Sequence, residues 1–365
     1  MTAAPVPSTE TPWRRDPGEI AAGLARWVEH SQGSSAALVD VSVPDNGLSS
    51  ETVLFTLERE GTAEQYVARL APAPDVIPVF PQYDLVAQQR CMRLVADRCD
   101  APVPTTPWYE PDPAWLGSPF LVMGRVHGIV PADNPPYVFG GWVMDATADQ
   151  RRTMQEGAAR TLVQLHELTP AGHDLSFLAR PGLGASPMDQ QLGYQRSYYD
   201  WAREGASYPL IERTFAWLEQ HRPSEGEPVL DWGDARIGNM LWQAFEPAAV
   251  LDWEMATVGP REVDLAWMIF LHAFFQDVAH TFELPGLPDF MRRDDMVAAY
   301  ESMSGHAVRD LEWYEVFAAL RFAIVSVRTT NRGVAYGTQD APDDPDDVVM
   351  FRSLLEQMLA GTYWD

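Results

Sequence analysis

The sequence predicts an α+β fold in two lobes, a small β-rich N-terminal lobe and a larger, mainly helical C-terminal lobe. At 365 residues the chain is too long for one simple core. Between residues 37 and 70, short β-like runs alternate with turn residues, whereas beyond Gly124 the apolar positions recur mostly at helical spacing. The expected divisions are a flexible tail over residues 1–18, an N-terminal lobe over 19–123 and a C-terminal lobe over 124–365.

Residues 17–30 read as a helix with Ile20, Leu24, Trp27 and Val28 on one face. Strands follow at 38–41, 52–57 and 66–70, separated by Pro44-Asp45-Asn46-Gly47 and Glu60-Gly61. A proline-rich break over 72–81 leads into a helix over 84–97, and residues 120–123 read as a buried strand. Helices are expected at 149–167, 192–204, 210–221, 263–279, 311–328 and 347–360, the last opened by Asp346 and Asp347. Two short β-runs, at 229–230 and 249–251, interrupt this helical half.

Composition excludes several classes. The net charge of -26 argues against nucleic acid, whose phosphates require a basic face, and would favour a cationic substrate if the acids line a site. No apolar stretch follows a charged start in residues 1–19, and the longest apolar run, 265–275, is short of the ~20 residues that span a bilayer. A soluble, cytoplasmic protein without a membrane partner is expected. Cys91 and Cys99 lie two helical turns apart, too far for a disulfide, and no histidines stand at zinc spacing. All 26 basic residues are arginine. A Walker A loop, a Schiff-base enzyme and a Ser-x-x-Lys hydrolase are therefore excluded, and any side-chain grip on phosphate falls to arginine.

The chemistry concentrates in Val229-Leu-Asp-Trp-Gly-Asp-Ala-Arg-Ile-Gly-Asn-Met-Leu-Trp242 and Leu251-Asp-Trp-Glu254. Pairing of the two β-runs as a hairpin-like unit would bring Asp234, Asn239 and Asp252 to one end. Two carboxylates and an amide there suit a magnesium ion, with one carboxylate left to face a substrate hydroxyl and take its proton. Turn formation alone accounts for Gly233 and Gly238 but not for the acids and the amide at this spacing.

These residues resemble the catalytic and metal loops of the aminoglycoside phosphotransferase and choline kinase superfamily, with its His-Gly-Asp, four residues, Asn, and Asp after a second strand. The chain closely resembles a bacterial branch of aminoglycoside phosphotransferase-like proteins, a branch that is also similar to the kinase domains fused to some acyl-CoA dehydrogenases. The resemblance implies a bilobal protein-kinase-like fold using ATP and Mg2+, with Asp234 as catalytic base and Asn239 and Asp252 as metal ligands. It also implies that Asp264, in Gly259-Pro-Arg-Glu-Val-Asp264, braces the metal loop, and that His166 is structural. Trp232 stands where the family usually has histidine, which would lose one ring-nitrogen contact.

In the N-terminal lobe, the segment from Gly47 through Ser49, Ser50 and Thr52 is similar to the family's nucleotide-positioning loop, although a Gly-Ser turn between strands is commonplace. Arg69 falls where kinases place a phosphate-pairing lysine; the alternative is an edge-strand arginine in solvent. Gln88 lies on the apolar face of the next helix, where the fold has a glutamate, and Gln89 is a close rival. Met123, Gly124 and Arg125 read as the hinge that would receive the adenine edge. The aromatic residues of 267–275, Trp267 included, read as core.

The expected function is transfer of the γ-phosphoryl group of ATP to a hydroxyl of a small molecule. The acceptor is either an aminoglycoside-like cation, met by Glu254, Glu262 and Glu301, or a hydroxyacyl-CoA, met by Arg292, Arg293, Arg321 and Arg328. A catalytically silent nucleotide-binding pseudokinase is the rival from another class, and Trp232 and Gln88 favour it.

Overall fold

The computed structural model describes residues 13–33, 35–44 and 49–364. In chain order the elements begin with α1 (Pro17–Gln32), β1 (Ala36–Ser42), β2 (Glu51–Arg59), β3 (Thr62–Leu70), α2 (Leu85–Arg98), β4 (Trp108–Glu110) and β5 (Phe120–Gly124). They continue with α3 (Trp142–Asp145), α4 (Ala148–Leu165), α5 (Pro187–Ala202), α6 (Pro209–Gln220), β6 (Pro228–Asp231), β7 (Met240–Gln243), β8 (Glu246–Val250) and β9 (Thr257–Pro260). The remainder is helical: α7 (Glu262–Thr281), α8 (Arg293–Ser304), α9 (Leu311–Ala335) and α10 (Arg352–Ala360). No described helix is long and apolar enough to cross a membrane.

The chain forms two compact units. The first comprises Met1–Phe80, Pro107–Arg125 and Arg332–Asp340. Its antiparallel sheet runs β1-β2-β3-β5-β4. Alternate β2 residues Val53, Phe55 and Leu57 are buried with Leu70 and Phe120 against the apolar face of α1, formed by Ile20, Leu24, Trp27 and Val28. Asp16 caps α1 by accepting the Glu19 N–H at 3.0 Å, and Pro17 supplies a first helical residue that needs no donor. Arg15 ties the entry of α1 to β2 through Glu51, and donates to Ser118 Oγ at 2.6 Å and the Ala71 carbonyl at 3.0 Å.

The second unit comprises Pro81–Thr106, Val126–Asn331 and Ala341–Asp365. Segment 81–106, which the sequence places in the N-terminal lobe, groups here because α2 packs on the 3-10 turn Trp253–Met255. Both cysteines are free, and burial pushes the Cys91 thiol up. Asp346 does not open the last helix. It is buried and accepts the Leu210 N–H at the start of α6 at 3.0 Å, and α10 begins only at Arg352.

The expected hairpin between the two β-runs is replaced by two separate ladders. β6 pairs with β9, Val229 opposite Gly259, and β7 pairs with β8, Met240 opposite Val250. The β7–β8 turn is made by Ala244 and Phe245 with φ of 47° and 68°. That left-handed pair is normally Asn-Gly, so the sequence carries no signal for the hairpin. β7 thereby claims β8, and β6 finds its partner beyond Asp252.

Candidate active site

The catalytic-type loop starts at the end of β6 and is anchored from behind. Asp264, fully buried in the first turn of α7, accepts the Trp232 N–H at 2.6 Å on Oδ2 and the Gly233 N–H at 2.8 Å on Oδ1. His166 at the end of α4 meets the same Oδ2 at 3.3 Å, and its Nδ1 is 2.7 Å from the Tyr300 hydroxyl. Asp264 therefore braces the loop that leads to Asp234, where the resemblance implied the loop carrying Asp252. Gly233 has φ 92°, and a Cβ there would run into the Met255 carbonyl, so only glycine passes.

Trp232 is fully buried and keeps a ring N–H: Nε1 donates to the Leu251 carbonyl at 2.8 Å, next to Asp252. The indole thus ties the catalytic loop to the segment leading to Asp252. The expected loss of a ring-nitrogen contact is corrected to that extent.

Asp234 is partly accessible, and its carboxylate is held on several sides. Trp267 Nε1 donates to Oδ1 at 2.8 Å, Arg236 Nε lies 3.1 and 3.3 Å from the two oxygens, and Asn239 Nδ2 donates to Oδ2 at 2.6 Å. Asn239 also donates to the Asp234 carbonyl at 3.1 Å. Its amide nitrogen is thereby spent, which leaves the side-chain oxygen as the atom that could meet a metal ion. The Leu251 N–H donates to the Asn239 carbonyl at 2.8 Å, so Asn239 and the segment carrying Asp252 lie side by side. Asp252 turns the chain with a left-handed φ of 61°. One amide oxygen and one carboxylate, both hard donors, fit magnesium.

Arg236 reaches Asp133 as well, at 2.5 Å. Burial opposes its charge, but Asp234, Asp133 and Asp252 outweigh burial and hold the guanidinium firmly protonated. Arg321, only 3% exposed, donates from Nη2 to the Gly233 carbonyl at 2.7 Å and lies 4.3 Å over the Trp267 ring. Burial lowers its affinity for the proton, opposed by Asp264, Asp234 and Asp231. Asp231 is fully buried and accepts from Gln191 Nε2 at 2.9 Å; burial and the neighbouring Asp264 push its carboxyl well above the usual range. His166, Asp231 and Asp264 cluster closely enough to hold an ion, but Asp264 already accepts two backbone amides and Asp231 accepts from Gln191.

The other predicted site residues lie as follows. Gly47 lies outside the described residues. Ser49 and Ser50 directly precede β2, and Thr52 is the cross-strand partner of Arg69, which puts those two side chains side by side on one sheet face. Met123 continues β5 past Val122, where pairing with β4 stops, and the Arg125 N–H donates to the Gln65 carbonyl at 2.9 Å. Gln88 is buried with its Nε2 unpartnered among the described residues, while Gln89 donates to the Thr106 carbonyl at 3.1 Å. Sequence reasoning missed Trp267, Arg236 and Asp133. Arg236 stands two residues from Asp234 in a chain without lysine, a signal that could have found it.

This fold, with its Asp-Asn-Asp loop system, defines the kinase-like phosphotransferase class. The sequence model of the phosphotransferase enzyme family matches residues 40–306, and the chain belongs to that family. Among relatives, acyl-CoA dehydrogenase family member 11 of Gallus gallus is 28% identical over 259 residues, covering 70% of this chain and 31% of that protein. Family member 10 of Mus musculus is 27% identical over 225 residues, covering 61% of this chain and 19% of that protein. The chain thus spans less than a third of the length of these relatives. A Ralstonia eutropha structure, provisionally assigned as an aminoglycoside phosphotransferase, matches with TM-score 0.65 and 21% identity over 94% of this chain and 98% of that one. A thermostable variant of aminoglycoside phosphotransferase APH(4)-Ia, solved with ADP and hygromycin B, matches with TM-score 0.58 and 13% identity over 92% and 98% of the two chains. At these identities the structural likeness shows the fold.

Proposed function

We propose that this chain is an ATP- and magnesium-dependent phosphotransferase that moves the γ-phosphoryl group to a hydroxyl of a small molecule, as aminoglycoside phosphotransferases do. The observation that carries the reading is the Asp234 carboxylate, oriented by Trp267, Arg236 and Asn239, with Asn239 lying alongside the segment that carries Asp252. Asp234 would orient the acceptor hydroxyl and accept its proton. Asn239 and Asp252 would hold magnesium, which when bound neutralises phosphate charge. Ser49, Ser50, Thr52 and Arg69, with Gly47, would cradle the phosphates, and the Met123–Arg125 backbone would receive the purine edge. Gln88 would act on the nucleotide grip in place of a glutamate. Such a reading places the protein in the cytoplasm, where ATP is supplied.

The pseudokinase alternative loses support because the Trp232 indole ties its loop to the Leu251 carbonyl. For the acceptor, the cationic reading loses two of its three acids. Glu262 is buried and accepts from His306 and the Arg309 N–H, and Glu301 accepts the Val308 N–H at 2.8 Å. A hydroxyacyl-CoA is the second reading, favoured by the similarity to acyl-CoA dehydrogenase family members 10 and 11. The proposed arginine cluster for it is dispersed, since Arg293 pairs with Glu315 and Arg328 with Glu204.

The test is Asp234→Asn, which should lower kcat by roughly 10² or more while ATP affinity stays within a few-fold. Unchanged phosphoryl transfer or ATP hydrolysis in that variant would remove Asp234 from the mechanism.

A further inference from the structure

Helix α5 carries a stack of rings at positions 194, 198 and 201. Tyr194 and Tyr198 lie 6.3 Å apart, and Tyr198 and Trp201 6.0 Å apart. A guanidinium closes each end: Arg180 sits 4.0 Å over Tyr194, and Arg328 sits 3.9 Å over Trp201. The ends differ in one respect. Arg328 is neutralised by Glu204 at 2.6 Å, whereas no carboxylate lies within 4.0 Å of the Arg180 guanidinium among the described residues, nor does any hydrogen bond engage it.

A shortage of acids does not explain this, because the chain has 52 acidic residues against 26 arginines. Arg26, Arg98, Arg125 and Arg292, which also lack a carboxylate, are exposed and solvated, but Arg180 is half-buried. Burial lowers its affinity for the proton, with Tyr194 and Asp84 in partial opposition. A half-buried guanidinium with no carboxylate in direct contact and its N–H groups uncommitted is suited to receive an anion.

The stack is also placed beside the catalytic loop. Gln191, three residues before Tyr194, donates to Asp231 Oδ2 at 2.9 Å and to the Val258 carbonyl at 3.1 Å, pinning α5 to the β6–β9 pair. The Tyr194 hydroxyl feels Arg180, the Glu254 carboxylate and, less strongly, Arg321. Arg321 in turn holds the carbonyl of Gly233, the neighbour of Asp234, and its Nη1 is buried with no partner among the described residues. Arg180 thus lies on the Tyr194 ring, and Arg321, also with an uncommitted N–H, holds the residue next to the proposed base.

We propose that Arg180 and Tyr194, together with Arg321, form an anion subsite of the phosphoryl acceptor, so that the acceptor is a hydroxylated molecule carrying a carboxylate or a phosphate. This rests on the phosphotransferase reading above, and it replaces the polycationic acceptor that net charge suggested. The overall field would slow the approach of such an anion, but a local pair of guanidinium groups decides binding at contact distance.

The test uses equilibrium binding by the full chain, which needs no turnover. The probes are 3-hydroxybutyrate, 3-hydroxybutyryl-CoA, methyl 3-hydroxybutyrate and hygromycin B, titrated into wild type, Arg180→Gln, Arg180→Lys and Tyr194→Phe. One anionic probe should bind about tenfold or more tighter than the neutral ester, and Arg180→Gln should remove that advantage while Arg180→Lys keeps part of it. A response confined to the acid identifies a carboxylate, and one confined to the thioester identifies the phosphates of CoA. Thermal unfolding of each variant checks its fold; if Arg180→Gln does not fold, the comparison rests on Arg180→Lys and Tyr194→Phe, which should each weaken anion binding. Equal affinity for the ester or hygromycin B, equal anion affinity in every folded variant, or no anion binding at millimolar concentration would overturn the proposal. ATP hydrolysis in wild type and Asp234→Ala is measured alongside. Hydrolysis that needs Asp234 without Arg180-dependent binding sinks only the subsite, and Arg180-dependent binding without hydrolysis sinks only the phosphotransferase reading.

Discussion

Trp267→Phe isolates one hydrogen bond at the proposed catalytic base. The indole Nε1 donates to Asp234 Oδ1 at 2.8 Å, while the ring packs edge-on against Phe322 and supports Arg321 at 4.3 Å. Phenylalanine keeps an aromatic face for Arg321 and removes the donor. A hydrogen bond to a charged group contributes about 1.5–3 kcal/mol. Each 1.36 kcal/mol is tenfold in rate, so if the bond orients the carboxylate for transfer, kcat should fall roughly 10- to 100-fold. Arg236 and Asn239 still hold Asp234, which sets the lower end of that range as the better expectation. The proposed nucleotide grip uses other residues, so KM for ATP should stay within about twofold. The assay is MgATP hydrolysis by wild type and variant, repeated with an acceptor once one is found, with urea denaturation to confirm the fold. An unchanged kcat, or a loss confined to KM, would refute the assignment of Trp267 as the side chain that positions the base.

Asp264→Asn replaces one of two carboxylate oxygens that accept the Trp232 and Gly233 amides with an NH2 group facing a donor. Urea denaturation should show a loss of about 3–5 kcal/mol, and a loss under about 1 kcal/mol would mean that the brace is dispensable. Asp231→Asn should do the reverse at neutral pH. Because the folded carboxyl titrates well above its unfolded value, the native state holds the extra proton, and stability is fully present below the unfolded value and falls as pH rises toward the folded one. The asparagine, which mimics the neutral acid, should be as stable as wild type near pH 3 and more stable at pH 7; parallel stability–pH curves would show that Asp231 ionises normally. Arg69→Ala should weaken MgATP binding and Gln88→Glu should be tolerated or improve it, as titration of MgATP against each variant would report. Equal dissociation constants for Arg69→Ala and wild type would leave Arg69 as a surface residue of β3.

The sequence by itself determined the order of elements, the β-rich start and the helical remainder, because alternation in β2 and the 3.6-residue stripe of α1 are local patterns. It also put Asp234, Asn239 and Asp252 together as candidates, since residue types and spacing along two short segments suffice for that. The tertiary structure decided which strands pair. The left-handed Ala244-Phe245 turn directs β7 to β8 and sends β6 to β9, and no local signal marks it. The structure alone also revealed the partners of Asp234 that come from afar. Trp267 sits in an apolar helical stretch where spacing says core, and its single polar atom meets Asp234 because the first turn of α7 carries Asp264, whose carboxylate holds the loop leading to Asp234. The same holds for Arg180 and Arg321. The sequence offered Arg321 only as one arginine of a dispersed set and gave no sign of Arg180; burial without a carboxylate in direct contact, a property of neighbours distant in sequence, sets both apart.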